Sequence, residues 1–147
     1  MKIVILTGAG ISAESGLGTF RDQGGVWSQY DLAEVATPEG FARDPDLVLN
    51  FYDMRRAALA KVESNPAHHA LARLDAEFDG DLLIVTQNVD DLHERAGAKR
   101  MLHMHGELLS ALCTSCGMRS PWTGTMIERP PCPVCQAPSL RPDVLRF

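Results

Sequence analysis

The chain has 147 residues, 45% of them apolar and 22% charged, which is the composition of one ordinary globular domain large enough for a core. Its net charge of −5 argues against an overall basic field that would recruit nucleic acid or an anionic membrane. Lys2 and the four apolar residues after it are too short for a signal-peptide core, and no apolar run reaches the ~18 residues of a membrane span. A cytoplasmic location is therefore expected, where thiols stay reduced and the four cysteines read as ligands rather than disulfides.

Ile3-Val4-Ile5-Leu6 reads as a buried strand, and Gly8, Gly10 and Ala13 then fit the G-x-G-x-x-G/A turn that brings a helix N-terminus against a pyrophosphate. By itself this motif is weak, since a glycine-rich strand-to-helix turn also occurs with no ligand. The acidic residue that a dehydrogenase places ~20 positions later on a ribose is not clearly present, because Asp31 ends no second strand. Hydride transfer starts at a disadvantage. Further on, Gln23-Gly24-Gly25-Val26-Trp27 is either a surface connection or a lid over the glycine turn.

Thr37-Pro38 and Asp44-Pro45 each set a capping residue before proline and each should open a helix. The second should run to about Val62, with Leu47, Val48, Phe51, Met54, Ala58, Leu59 and Val62 as its apolar stripe. Asn65-Pro66 starts another helix through about Phe78, with Ala67, Ala70, Leu71 and Leu74 inward. Leu82 to Thr86 is a second buried strand, and strands alternating with helices argue for a parallel sheet. Gln87-Asn88-Val89-Asp90-Asp91 follows at that strand's carboxyl end, where open α/β sheets bind ligands. Asp90 or Asp91 could equally cap the helix containing Leu92-His93-Glu94-Arg95. Arg100 to Met104 looks like a third strand, placing His103 and His105 on one face if it stays extended. His68, His69 and His93 read as structural or solvent-facing.

Cys113-x2-Cys116, fifteen intervening residues, then Cys132-x2-Cys135 matches a four-cysteine zinc ribbon. Two tight knuckles offer two thiolates each, completing a tetrahedron with no open position, so one structural ion is expected. The insertion it would hold, about 107–140, lacks an evident core of its own. Leu140-Arg141-Pro142-Asp143-Val144-Leu145-Arg146-Phe147 reads as a strand just beginning. Only about four strands are visible in all, where a doubly wound dinucleotide fold has about six, which hints at a truncated domain.

Taken together, Gly8 to Gly16, Thr19-Phe20-Arg21-Asp22, Thr86-Gln87-Asn88-Val89-Asp90, His105-Gly106, the four cysteines and Leu140-Arg141-Pro142 resemble the sirtuins, NAD-dependent protein-lysine deacylases, in family order over essentially the whole chain. The resemblance implies an α/β fold: a Rossmann-like parallel sheet, incomplete at the C-terminus, with a small zinc-ribbon insertion. Residues 1–106 would hold the first part of the NAD-binding domain with a helical insertion at about 37–79. Residues 107–140 would form the zinc ribbon, and 141–147 a return strand to the Rossmann-like domain. Gly8, Ala9, Gly10, Glu14, Thr19, Phe20 and Arg21 would line the NAD pocket, and Gln87, Asn88 and Asp90 the nicotinamide ribose. His105 would be the general base, with Asn88 and Asp90 beside it in the catalytic group. The acyl group of an acylated-lysine protein would pass to ADP-ribose with release of nicotinamide.

Tyr52 and Arg55 lie three apart on one helix face, which alone suggests a half-buried tyrosine beside a snorkelling arginine. Phe51-Tyr52-Asp53-Met54-Arg55 nevertheless resembles the Tyr-x-x-Arg signature of desuccinylase and demalonylase sirtuins, and Ala36 matches the small residue that widens their acyl pocket. An arginine fork and a phenol suit a distal carboxylate. Gly18 stands where many sirtuins carry proline, and the chain stops before the family's adenosine-contacting second half. The alternative is a fragment without turnover that binds zinc and perhaps NAD or a peptide.

Overall fold

The computed structural model describes residues 1–18 and 30–144. In chain order the elements are β1 (Lys2–Thr7), α1 (Ala9–Ala13), α2 (Leu32–Val35), α3 (Pro38–Arg43), α4 (Pro45–Leu59), α5 (Pro66–Glu77), β2 (Asp81–Thr86), α6 (Leu92–Arg95), β3 (Met101–His103), β4 (Gly106–Cys113), β5 (Arg119–Pro121) and β6 (Leu140–Val144).

Three residues before prolines start the helices, as their chemistry requires. The Thr37 hydroxyl accepts from the Gly40 amide, the Asp44 carboxylate from Leu47, and the Asn65 amide oxygen from Ala67 and His68. Asp31 caps α2, a short helix absent from the sequence reading.

β1, β2 and β3 form a parallel sheet in that order, with Ile5 opposite Ile84 and Thr86 opposite His103. One face packs Leu82 and Ile84 against Ala72 of α5 and Ala98. Strand alternation sends Val4, Leu6 and Leu102 to the other face, where they are exposed. The Rossmann-like expectation holds for this sheet.

The inward faces of α4 and α5 differ from the expected stripes. Met54, Ala58, Ala67, Ala70 and Leu74 are exposed, while Tyr52, Asp53 and Arg56 on α4 and His68, Ala72 and Asp75 on α5 are buried. Polar side chains with distant partners turn these helices, and an apolar count cannot register such partners.

The third strand is shorter than expected. It ends at His103, and Met104 and His105 form a turn, so the two histidines do not share an extended face. Gly106 follows at φ +86°, where an added Cβ would lie 2.2 Å from the Asp143 carbonyl oxygen. Only glycine allows β4 to start there against β6.

β5, β4 and β6 form a second, antiparallel sheet. This corrects the expected return strand: Leu140–Val144 does not join the parallel sheet but pairs with β4, Cys113 opposite Leu140 and Gly106 opposite Val144. The fully buried side chain of β6 at Pro142 supports this place. Pro142 is tolerated because β6 is an edge strand. The expectation of about four strands likewise gives way to six among the described residues, three per sheet.

Candidate functional site

β1 ends at Thr7 and the chain turns through Gly8 into α1, with the Ile11 amide closing onto the Gly8 carbonyl at 3.1 Å. A Cβ at Gly10 would meet nothing within 4 Å, and one at Gly8 only the Gln87 side chain at 3.8 Å. The turn thus faces open space. Gly8 and Ala9 are half-buried, and Gly10 and Glu14 are exposed. Thr19, Phe20 and Arg21, with the glycine-rich loop of residues 23–27, lie outside the described residues.

The loop after β2 is joined to this turn. The Asn88 side-chain amide donates to the Gly8 carbonyl at 2.9 Å and to the Ser12 hydroxyl at 3.3 Å. Ser12 in turn donates to Asp90 at 2.8 Å, and the other Asp90 oxygen accepts the Leu92 amide at 3.1 Å. Asp90 therefore fills one of the two roles left open by the sequence, supporting the start of α6, and reaches the glycine turn through Ser12. Gln87 is exposed, whereas Asn88 and Asp90 are buried.

Beneath them lies a group that sequence reasoning missed. Ser12 is 3.3 Å from His68 Nε2, and His68 Nδ1 accepts the Asn65 amide at 3.1 Å, so Nε2 carries the proton and donates to Ser12. Burial pushes the His68 pKa down against the pull of Asp90, which favours this neutral ring. Asn65 also reaches α1, donating to the Ile11 carbonyl and to Ser15. The available signal was His68 three residues after the capping Asn65, the spacing of a reciprocal capping box. His93 is fully buried, with Nε2 2.9 Å from the Thr7 hydroxyl, while His69 is exposed.

His103 and His105 approach consecutive carbonyls of the same loop but differ in kind. His103 donates from Nδ1 to the Asn88 carbonyl at 2.9 Å and from Nε2 to Glu94 at 2.7 Å. Burial opposes its charge, yet Glu94, the Asn88 carbonyl and Glu107 together raise its pKa to about 9. His105 is half-buried in the turn, with Nδ1 3.2 Å from the Gln87 carbonyl. With Nδ1–H donated to that carbonyl, Nε2 is the acceptor nitrogen of this tautomer.

A test of the His103 pair follows from linkage. A histidine whose folded pKa is raised contributes its full stabilisation below the unfolded value of ~6.5 and loses it as pH rises through the folded value. Glu94 is one-third exposed, so solvent screening trims the contribution to about 1–2 kcal/mol. Thermal unfolding should show the unmodified chain more stable than Glu94→Gln near pH 6.5, with the gap closing by about pH 9.5. A gap constant across that window would refute the charged pair.

On α4, Tyr52 is buried and Arg55 half-buried, and the Arg55 guanidinium lies 5.6 Å from the Tyr52 ring centroid and 5.7 Å from that of Phe51. Desolvation lowers the Arg55 pKa to about 10, opposed by the Tyr52 hydroxyl and by Asp90, so it remains a cation at neutral pH. The influence of Asp90 links this face of α4 to the loop after β2. Ala36, at the end of α2, is buried.

At the end of β4, and in the turns around it, the four cysteine sulfurs lie within 4.8 Å of one another, with 3.6 Å between Cys113 and Cys135 and 3.8 Å between Cys116 and Cys132. All four thiols are free. The two knuckles are alike: the Gly117 amide closes onto the Cys113 carbonyl and the Gln136 amide onto the Cys132 carbonyl, each at 2.9 Å. Both of these residues have positive φ, 77° and 65°. The Cys135 and Val134 amides hold the Cys132 thiol down to about 6, which favours a thiolate. Four soft donors in this compass fit a tetrahedral metal ion. Among the described residues no helix is long and apolar enough to cross a membrane.

Comparison with known proteins agrees with this geometry. Residues 8–147 match the Sir2 family. The chain is 54% identical to an NAD-dependent protein deacylase of Caulobacter vibrioides over 151 aligned positions, covering all of this chain and 63% of that protein. It is 55% identical to one of Vibrio vulnificus, covering 99% of this chain and 61% of the other. Its fold superposes on a Sir2 homologue in complex with NAD at a TM-score of 0.85 and 41% identity, over 98% of this chain and 57% of that one. A further Sir2 structure, concerned with the mechanism and regulation of these enzymes, gives 0.74 and 38%, over 98% of this chain and 58% of the other. The chain thus spans about three fifths of the length of the curated relatives it matches. On the family match and the shared fold, the chain belongs to the Sir2 family, the sirtuins.

Proposed function

We propose that this chain carries the nicotinamide side and the acyl-lysine side of an NAD-dependent protein-lysine deacylase that favours succinyl and malonyl groups and also accepts acetyl. The observation that carries this reading is the junction at the carboxyl ends of the parallel strands. There Asn88 holds the glycine turn through Gly8, and His105 leans on the neighbouring Gln87 carbonyl. Open α/β sheets bind ligands at such ends.

NAD, when bound, supplies an electrophilic ribose carbon, nicotinamide as the leaving group, and ribose hydroxyls that receive the acyl group. The open turn at Gly8, Ala9 and Gly10 fits its phosphates, with Glu14 at the rim. Thr19, Phe20 and Arg21 would complete that wall. Gln87, Asn88 and Asp90 would bind and orient the nicotinamide ribose, their positions held by Ser12 and His68. His105 would take a proton at Nε2, because its Nδ1 is committed to a backbone carbonyl.

Arg55 and Tyr52 would bind the distal carboxylate of a succinyl or malonyl group, and Ala36 would leave it room. The aromatic faces of Phe51 and Tyr52 hold the guanidinium in place, so little side-chain freedom remains to be lost on binding. We assign the four cysteines one structural zinc ion and place the protein in the reducing cytoplasm. Its partners would be acylated-lysine proteins, without nucleic acid or membrane.

The test is mass spectrometry of succinyl-lysine and acetyl-lysine peptides incubated with the chain and NAD. Succinyl loss should be the faster. Arg55→Met should slow it roughly 10–100-fold, the value of a charged hydrogen-bonding partner, and change acetyl loss less than about threefold. Equal slowing of both would remove the carboxylate assignment while leaving the deacylase reading intact.

A further inference from the structure

Directly beside Tyr52 and Arg55, one position further along α4, stand Asp53 and Arg56, and these two point into the protein. Their side chains are 7% and 1% exposed and form an ion pair at 2.8 Å. Every strong donor and acceptor of the pair is turned toward the second sheet. Arg56 Nε donates to the Leu108 carbonyl of β4 at 3.1 Å, and Nη1 donates to the Gly124 carbonyl at 3.0 Å. Asp53 accepts the Met126 amide at 2.8 Å on one oxygen and the Ile127 amide at 3.0 Å on the other. Met126 is itself fully buried in one core cluster with Cys113 and Cys132. A single ion pair therefore ties the helix that presents Tyr52 and Arg55 to the segment between the two cysteine knuckles.

A buried pair of this kind is poor evidence for stability, because apolar residues of similar volume often do as well or better. What it supplies is directionality. Leu49 of α4 packs in the same cluster as the cysteines, and such apolar contacts tolerate a small slide or rotation of the helix. Four hydrogen bonds to backbone groups at 108, 124, 126 and 127 do not.

We propose that Asp53 and Arg56 are positioning residues for acyl specificity: by locking α4 to the 124–127 segment they fix where Tyr52 and Arg55 meet the end of the acyl chain. This rests on the deacylase reading above. Discrimination between a carboxylate-tipped and a neutral acyl group then depends on two residues that touch neither. Acetyl-lysine, too short to reach the Tyr52–Arg55 pair, is indifferent to a small rotation of α4, whereas succinyl-lysine is not.

The test uses Arg56→Lys, which keeps the charge but not the planar fork, and the apolar double variant Asp53→Leu/Arg56→Met, which removes the buried charges together. Binding of labelled succinyl-lysine and acetyl-lysine peptides to the full chain is measured by fluorescence anisotropy. Hydrogen exchange over residues 124–128 is followed in parallel. The expected result is at least tenfold weaker succinyl-peptide binding in both variants, acetyl-peptide binding within about threefold of the original, and faster exchange at Met126 and Ile127. The double variant leaves the Leu108 and Gly124 carbonyls and the Met126 and Ile127 amides without these partners, so its unfolding temperature should fall, and binding is compared at a temperature where both variants are folded. Faster exchange with an unchanged succinyl-to-acetyl ratio would overturn the proposal, as would unchanged exchange. An unmodified chain that binds neither peptide would instead remove the deacylase reading, and the proposal with it, while the exchange data still report on the lock.

Discussion

Replacing His105 by alanine is expected to lower NAD-dependent acyl removal by about 10²- to 10⁴-fold, the usual contribution of a positioned general base. Two histidines reach the loop after β2, and their hydrogen bonds decide which one can accept a proton. His103 donates from both ring nitrogens, to the Asn88 carbonyl and to Glu94, and its pKa is raised to about 9. At neutral pH it holds no lone pair for catalysis. His105 makes its bond to the Gln87 carbonyl through Nδ1, so Nε2 is the ring nitrogen proposed to take the proton. Removing the His105 ring takes away its hydrogen bond to the Gln87 carbonyl at a half-buried turn, so the chain should stay folded with a lower unfolding temperature. The measurement is peptide mass spectrometry at equal protein and NAD, with thermal unfolding as the control for folding. More than a tenth of the activity remaining in a folded His105→Ala chain would exclude His105 as the base. No turnover from the unmodified, folded and metal-loaded chain would favour the non-catalytic alternative.

The parts of this architecture that can be read from the sequence are those whose physics is local. A capping residue before proline opens a helix wherever it occurs, and Thr37, Asp44 and Asn65 each do so. A Cys-x2-Cys knuckle needs only its own few residues, and both close as the spacing implies. What could not be read is set by partners far along the chain. Asp53 and Arg56 look like solvent-facing charges until their contacts at residues 108 and 124–127 are known. Asp75 is similar: it is buried at the end of α5 because Arg100 and the Lys99 amide close on it at 2.6 and 2.7 Å. The same blindness explains the strand count. β4 and β6 carry mixed polar and apolar residues, and their pairing across the cysteine segment has no signature within either strand.

Stripping the metal, or replacing Cys132 by serine, is expected to cost the second sheet its fold, and this should be the largest stability effect of any single change. The segment from Gly106 to Val144 stands at about the ~40-residue length below which chains usually need a metal, a disulfide or a partner. Its core bears this out: Ala111, Met126 and Leu140 are joined by Cys113, Cys132 and one borrowed residue of α4, Leu49. Two of the four cysteines are thus core residues, and with 3.6 Å between the Cys113 and Cys135 sulfurs and 3.8 Å between those of Cys116 and Cys132, an ion held by all four would tie that core together. An ion bound with a Kd a thousandfold below its free concentration stabilises the folded state by about 4 kcal/mol, which for a domain of this size is a fall in Tm of roughly 10–15 °C on removal. Thermal unfolding before and after chelation, with metal content by elemental analysis, checks it. One ion per chain and a Tm that recovers on adding zinc back are expected. A Tm unmoved by complete removal would mean that Leu49, Met126 and the Asp53–Arg56 pair hold the sheet unaided. Because those same contacts join the sheet to α4, the loss should also reach the helix that carries Tyr52 and Arg55. Succinyl-peptide binding should therefore fall along with the fold of the cysteine segment, although no cysteine lies on α4.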